Sequence, residues 1–321
     1  MSETPVFIVG GSSFMGKHLL NELKKNGDYN LKVMTRSLTK KTEILRTASR
    51  IKIVEGDLLK PESLNGLIEP YSIVINLAYN RKANADVNIK LTNNLIDACK
   101  KIKIKRLIHI STADVVGRNS NNIIEESCPC QPITEYAITK QKLEKLVLVE
   151  SNNEFDTVVL RPTAIFGAGG YNLIKLANDV VSGSRIKNYF RRCLFGYRRM
   201  NLVSIENVIL SIIYLMHHSK NFSGEIFNIS DDESPYNNYI NIEEILMQQL
   251  KASSSMLPYI TLPSFMLSFF LKYLGRDNIN PSRIYSAKKI KDMGFNKNMN
   301  FERAVNNFAE WYRSIYMENN L

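Results

Sequence analysis

Val6-Phe-Ile-Val9 runs directly into Gly10-Gly-Ser-Ser-Phe-Met-Gly16, and Leu19, Leu20 and Leu23 follow at helical spacing. A short apolar run, a glycine-rich turn and an amphipathic helix make a strand–turn–helix unit. Gly10 permits the tight turn, and Gly16 lets the helix approach the strand closely. The first amides of the helix then face an anion, which is the arrangement that holds a dinucleotide pyrophosphate. Ser12, Ser13, Phe14 and Met15 complete the loop, and Ser13 stands where such loops usually carry a middle glycine.

Outward from this unit the pattern repeats. Further strands are expected at Leu31–Met34, Ile51–Val54, Ile73–Ala78, Arg106–Ile110, Thr157–Leu160 and Ile226–Ile229. The unbroken apolar runs among them suit a parallel sheet buried on both faces. Helical stretches at Pro61–Leu67, Asn88–Lys101, about 134–150 and Asn172–Val181 alternate with the strands, and the C-terminal part, ending in Phe301–Tyr312, is mostly helical. The expectation is an α/β chain with a doubly wound sheet of about seven strands. Arg191-Arg-Cys-Leu-Phe-Gly-Tyr-Arg-Arg199 reads as a basic hairpin-like segment. The apolar stretch Leu257–Leu274 holds Pro258 and Pro263, is too short to span a bilayer, and reads as a packed helix over a substrate site.

In open parallel sheets ligands sit at the carboxyl ends of the strands, which draws attention to several residues. Met34 is followed by Thr35-Arg36-Ser37 with no acid to meet a ribose hydroxyl, and Arg36 would meet a 2′-phosphate, favouring NADP over NAD. Asp57, followed by Leu58, sits where a loop reaches adenine. Ser111 and Thr112 end the fifth strand, while His109 inside it reads as core. Tyr136 and Lys140 share a helix face, and an ammonium near a phenol lowers its pKa and makes an acid/base pair. The same spacing recurs at Tyr171/Lys175 and Tyr285/Lys289, but without a comparable neighbour to Thr112.

The 321 residues are 44% hydrophobic and carry a net charge of +11, which excludes a disordered chain and suits an anionic partner. No basic patch interleaved with aromatics suggests nucleic acid. Cys99, Cys128, Cys130 and Cys193 make no metal-ligand spacing with the four histidines and read as free thiols in a reducing, cytoplasmic setting. The polar N-terminus is not read as a signal peptide.

Taken together, these motifs resemble the extended short-chain dehydrogenase/reductase family of the sugar-nucleotide epimerase/dehydratase type, nearly end to end. The resemblance rests on Val9–Gly16, on Asn76-Leu77-Ala78 and on Asn88-Ile-Lys-Leu-Thr92. It rests further on Ile110–Gly117, Leu160–Gly167, Leu202–Val208, Asp292-Met-Gly-Phe295 and Glu310-Trp-Tyr312. It implies a Rossmann-type sheet with a smaller, mostly helical substrate part, divided as 1–165 plus 196–230 for the dinucleotide and 166–195 plus 231–321 for the substrate. It implies hydride transfer between a nicotinamide and a carbon bearing oxygen. Tyr136 would exchange the hydroxyl proton, Lys140 would lower its pKa and hold the nicotinamide ribose, and Thr112 would bond the substrate oxygen. The dinucleotide would also meet Leu77, Ala78, Asn88, Ser111 and Pro162. Asn172, Arg198 and Arg199 would meet a nucleoside-diphosphate sugar, and a homodimer would form through the helices at 88–101 and 136–150.

The resemblance leaves the reaction open. A dehydratase carries Asp-Glu after the catalytic Thr, whereas here Ala113-Asp114 follows. A 4-ketoreductase using exchangeable NADPH fits Arg36. A 4-epimerase with retained NAD, a steroid- or flavonoid-type reductase and a non-catalytic dinucleotide-binding protein are the alternatives.

Overall fold

The structure, a computed structural model, describes residues 4–25, 29–37, 51–152, 155–252, 260–273, 275 and 279–317. The chain divides into two compact units: Met1–Val115, Thr134–Arg161 and Ile209–Phe227 form the first, and Val116–Ile133, Pro162–Val208 and Asn228–Leu321 the second.

Seven strands form one sheet: β1 (Val6–Val9), β2 (Leu31–Thr35), β3 (Ile51–Glu55), β4 (Ile73–Asn76), β5 (Arg106–Ile110), β6 (Asp156–Pro162) and β7 (Glu225–Ile229), all in the first unit but for Pro162, Asn228 and Ile229. They lie in the order β7-β6-β5-β4-β1-β2-β3. The registers from β3 through β6 are parallel, and Val9, Asn76, His109 and Val159 stand side by side across the sheet. Strand order reverses between β1 and β4, the point at which such sheets open a crevice for ligands. All residues of β1, β4, β5 and β6 are buried, as apolar runs flanked by helices on both faces require.

Helix α1 (Phe14–Lys25) buries Leu19, Leu20 and Leu23. Helices α2 (Ala85–Ile102) and α3 (Glu135–Val149) pack on each other. Leu95, Cys99 and Val147 on these helices share a core with Phe7, Val74 and Leu107 of the sheet. The expected helix at 61–67 is a single 3₁₀ turn, Pro61–Leu64, and the expected Asn88 start lies one turn inside α2, because Asn84 caps the helix by accepting from Val87 N.

Two buried ion pairs brace the sheet. Arg161 meets Glu144 of α3 through two hydrogen bonds of 2.9 and 2.6 Å. Arg106 on β5 binds Asp156 on β6 at 2.5 Å and donates to the carbonyls of Leu215, His218 and Lys220. Asp156 also accepts from the amides of Phe222 and Ser223. A buried pair supports a fold when its remaining donors and acceptors are also satisfied, and this network supplies most of them.

The second unit holds α4 (Ile174–Ser182), α5 (Arg185–Phe195), α7 (Tyr239–Gln249), α8 (Ser264–Tyr273), α9 (Lys288–Asp292) and α10 (Phe301–Tyr316), while α6 (Ile205–His217) spans both units. Short parallel strands pair Ala164–Phe166 with Leu202–Ser204, and Ile123–Ile124 with Ile284–Tyr285. Phe166, Leu202, Ile242, Leu246, Val305 and Phe308 belong to its core. Arg283, fully buried, donates to the carbonyls of Gly117 and Asn119. The helix expected from Asn172 starts at Ile174.

Two expectations are corrected here. Residues 191–199 are not a hairpin. Arg191 and Arg192 belong to α5, which Ser184 caps and Gly196, at φ +47°, ends. The helix is favoured because it carries Arg191 to Asp179 of α4 at 2.5 Å and Arg192 to Glu243 and Glu244 of α7. Helix α8, within the 257–274 stretch, is not a packed cover. It buries Leu267 and Leu271 but leaves its other apolar side chains open. Residues 257–259 and 274 of that stretch lie outside the described residues.

Candidate active site

At the carboxyl end of β5 the chain leaves the sheet through Ser111 and Thr112 into a 3₁₀ turn, Ala113–Val116. Thr112 Oγ1 accepts the amide of Asp114 at 3.2 Å, which fixes the threonine side chain. Thr134 caps α3 by accepting from Ala137 N, so Tyr136 and Lys140 fall on the first turns of a well-started helix. The Thr112 hydroxyl lies close enough to the Tyr136 phenol to lower its pKa. Thr112, Tyr136 and Lys140 are thus gathered at one strand end, all within the first unit.

Lys140 is buried, and its Nζ donates to Ile110 O at 2.9 Å and stands 4.7 Å from the Tyr79 ring centroid. Tyr79 meets Tyr136 edge to face, with centroids 5.2 Å apart at 88°. The Arg81 guanidinium lies 5.7 Å from the Tyr136 ring. Sequence reasoning missed both Tyr79 and Arg81. They sit on the loop after β4, and only an exposed-looking polar stretch with two bulky side chains marked them. That loop is held by Asn88, whose side chain accepts from Asn80 N and donates to Asn80 O and Asn84 O. The structure therefore spends the Asn88 amide on the loop.

The electrostatics differ from the expectation for Tyr136. Burial pushes its phenol up to about 12, and the Asp114 carboxylate adds to this, while Arg81 and the Thr112 hydroxyl pull the other way. Lys140 is not among the causes; burial lowers its own pKa to about 8, against an upward pull from Glu144. The ammonium is drawn to Ile110 O rather than to the phenol. His109 is fully buried beside Asn76, whose Nδ2 lies 3.2 Å from Nδ1, and burial together with Lys140 lowers its pKa to about 3. It is a neutral core residue.

The glycine loop at the carboxyl end of β1 has the shape a dinucleotide needs. Gly10 has φ +84°, and a Cβ there would stand 3.0 Å from the Leu77 carbonyl carbon, so the backbones of the glycine loop and of Leu77-Ala78 are in close approach. A Cβ on Gly16 would lie 2.5 Å from Gly10 O and Gly11 O. Ser13 does what a middle glycine would not: its Oγ accepts from Gly16 N at 3.0 Å and caps α1. Ser12 is exposed, and Phe14 and Met15 open the helix. Ser111 Oγ is buried and has no hydrogen-bond partner, leaving an unpaired hydroxyl where the crevice begins. Arg36 is exposed immediately after β2.

Other expected contacts are placed less directly. Asp57 Oδ1 accepts from Leu59 N, and Leu58 is a core residue whose carbonyl takes a hydrogen bond from Asn94. Pro162 ends β6. In the second unit, Asn172 is exposed and donates to Ile165 O at 2.6 Å. Arg198 lies over the Phe195 ring, and Arg199 donates to Ser234 O at 2.8 Å. Tyr171 is open to solvent and precedes α4, whereas Tyr285 lies in a strand, so neither forms a helical pair with its lysine.

Several solved structures share this fold. The dTDP-glucose 4,6-dehydratase of Bacillus anthracis in complex with NAD aligns at TM-score 0.73 and 17% identity, over 97% of both chains. The UDP-glucuronic acid 4-epimerase of Bacillus cereus in complex with UDP-glucuronic acid and NAD aligns at 0.71 and 20%, over 98% of this chain and 100% of that one. RMD of Pseudomonas aeruginosa complexed with NADPH aligns at 0.68 and 19%, over 97% and 100%. By sequence, the chain is 25% identical over 348 aligned positions to the decarboxylating sterol-4-alpha-carboxylate 3-dehydrogenase of Saccharomyces cerevisiae, covering 95% of this chain and 97% of that protein. The family model for the NAD dependent epimerase/dehydratase family matches residues 6–230. A glycine loop, a Thr–Tyr–Lys cluster at the end of β5 and this match agree: the chain belongs to the NAD dependent epimerase/dehydratase family and is an NAD(P)-dependent enzyme of the extended short-chain dehydrogenase type.

Proposed function

We propose that the protein is a reductase that converts a ketone on a nucleoside-diphosphate sugar to an alcohol, with NADPH as the exchangeable donor. The observation that carries the reading is the gathering of Thr112, Tyr136 and a buried Lys140 at one strand end, with a phenol that stays protonated across the neutral range. Such a phenol is a ready proton donor to a carbonyl that is gaining hydride. The bound nicotinamide supplies the hydride. Thr112 orients the carbonyl oxygen, Tyr136 Oη delivers the proton to it, and Tyr79 and Arg81 wall the phenol from water. Gly10, Ser12, Ser13 and Gly16 hold the pyrophosphate at the start of α1, Leu77 and Ala78 border the nicotinamide half, and Arg36 takes the 2′-phosphate. Arg198 and Arg199, in the turn before Leu202–Ser204, serve the substrate diphosphate.

A second reading, hydride transfer that interconverts a ring alcohol and its ketone on an apolar substrate of the sterol kind, is favoured by two observations. Arg191 and Arg192 are occupied by Asp179, Glu243 and Glu244. A relative by sequence, matched over 97% of its length, is a sterol-4-alpha-carboxylate 3-dehydrogenase.

Purified protein assayed with NADPH and a UDP-4-keto sugar, in parallel with a 3-ketosteroid, separates the two. Turnover of the sugar supports the first reading, and turnover of the steroid alone overturns it in favour of the second. Tightly retained NAD recovered from the purified protein, with no NADPH turnover, would replace both by a 4-epimerase. Arg36→Glu is expected to weaken NADPH at least about tenfold more than NADH; an equal effect on both removes the NADP assignment.

A further inference from the structure

Helix α8 has the wrong side out for a water-facing helix. Leu267 and Leu271, one turn apart, are buried, whereas Phe265, Phe269 and Tyr273 are 75%, 70% and 83% exposed, with Phe270 and Met266 open between them. A globular helix normally gives its outer face to charged and polar residues. Here Lys272 is the single charged residue of the helix.

Exposed apolar side chains also occur on α5, which buries none of its residues and exposes Ile186 and Phe190. The two elements are joined: Leu262 N, just before α8, donates to Cys193 O at 2.8 Å, and Thr261 packs against Gly196. Exposed Arg185, Lys187 and Lys272 flank the apolar side chains. The sequence carries no Asp or Glu from Val180 to Ile205 or from Ile245 to Arg276. Exposed apolar side chains grouped on two joined elements mark an interaction site.

We propose that the second unit docks on the surface of an anionic phospholipid bilayer through α8 and the adjoining face of α5. The phenyl rings enter the boundary between headgroups and acyl chains, and Arg185, Lys187 and Lys272 meet lipid phosphates and carboxylates. Exposed aromatics flanked by cations are the composition of helices that lie in a membrane interface. A second copy of the chain fits less well, because an isologous contact sets the same cations against each other. Among the described residues no helix is long and apolar enough to cross a membrane. The proposal does not depend on which substrate is turned over.

The full-length protein is sedimented with vesicles of phosphatidylcholine alone and of phosphatidylcholine mixed with phosphatidylserine. Binding to the mixed vesicles at least about tenfold tighter than to the neutral ones is expected, falling with added salt. Phe265→Ser combined with Phe269→Ser is expected to weaken binding at least about fiftyfold, the loss of two rings from an apolar phase. Arg185→Glu with Lys187→Glu is expected to lower binding to the mixed vesicles at least about tenfold and to leave neutral vesicles unaffected. Unchanged NADPH binding and circular dichroism in both variants show that the fold is intact. The charge variant alone suffices if the serine variant misfolds. Absence of binding to the mixed vesicles overturns the proposal. So does wild-type binding by the charge variant, or a dimer seen by light scattering that the serine variant splits while vesicle binding persists.

Discussion

Tyr136 has to be both protonated and reachable. Its burial raises the phenol to about 12, so at neutral pH it is a full-strength donor and a poor base. Tyr136→Phe keeps the ring against Tyr79 and removes only the hydroxyl. Turnover is expected to fall about a hundredfold to ten-thousandfold while NADPH binding, followed by fluorescence, stays within about twofold; activity within a few fold of wild type would sink the assigned proton path. The pH profile separates the two charged partners. Lys140, with its pKa lowered to about 8, is an ammonium below that value and neutral above it. Reductive kcat/KM is expected to be flat from about pH 6 to 8 and to fall as pH rises further. In Lys140→Met the break near 8 disappears, and a break that persists assigns it elsewhere. The oxidative direction, which needs the phenolate, gains with pH over the same range.

At the scale of elements, the loop after β4 is held by one side chain. Asn88, on the second turn of α2, makes three hydrogen bonds to that loop and to Asn84, and it is almost fully buried. Asn88→Ala leaves the Asn80 amide without its acceptor, which costs about 1–3 kcal/mol. A urea titration is expected to show that loss. Turnover is expected to drop as well, because Tyr79 and Arg81 are no longer set around Tyr136. An unchanged urea midpoint would mean that the loop is held by other contacts. Legibility differed from element to element for physical reasons. The seven strands could be read because buried parallel strands are written as local apolar runs, and Thr112, Tyr136 and Lys140 because a strand end and one helical turn are local geometry. Tyr79 and Arg81 were not readable, since their closeness to Tyr136 is created by sheet order, which puts β4 beside β5. Arg191–Arg199 misled because Gly196 ends a helix as readily as it turns a hairpin, and the carboxylates that favour the helix come from α4 and α7. The pKa of Tyr136 was misjudged because burial, which sequence does not display, outweighs a neighbouring ammonium that bonds Ile110 O.

For the molecule as a whole, the glycine loop, Arg36 and the Thr112–Tyr136–Lys140 cluster all belong to the first of two units with separate cores. NADPH at a hundred times its Kd is expected to stabilise the chain by about 2.7 kcal/mol, read as an upward shift of the thermal transition. Hydrogen exchange should slow most in β1, α1 and the loop after β4, and least in α5 and α8. Equal slowing of α5 and α8 would contradict the placement of the dinucleotide on the first unit.

Arg106 has a consequence for how the chain comes into being. Its guanidinium is set in β5, yet three of its acceptors are the carbonyls of residues 215, 218 and 220, more than a hundred positions later. On the ribosome, β1 to β6 emerge well before those carbonyls exist. Until residue 220 has left the exit tunnel, a buried positive charge at the start of β5 faces only Asp156, and closing the interior there leaves it short of partners. The first unit therefore cannot settle strand by strand as it is made. Its completion waits for the last of its segments, and a nascent chain halted near residue 210 is the species most exposed to chaperones.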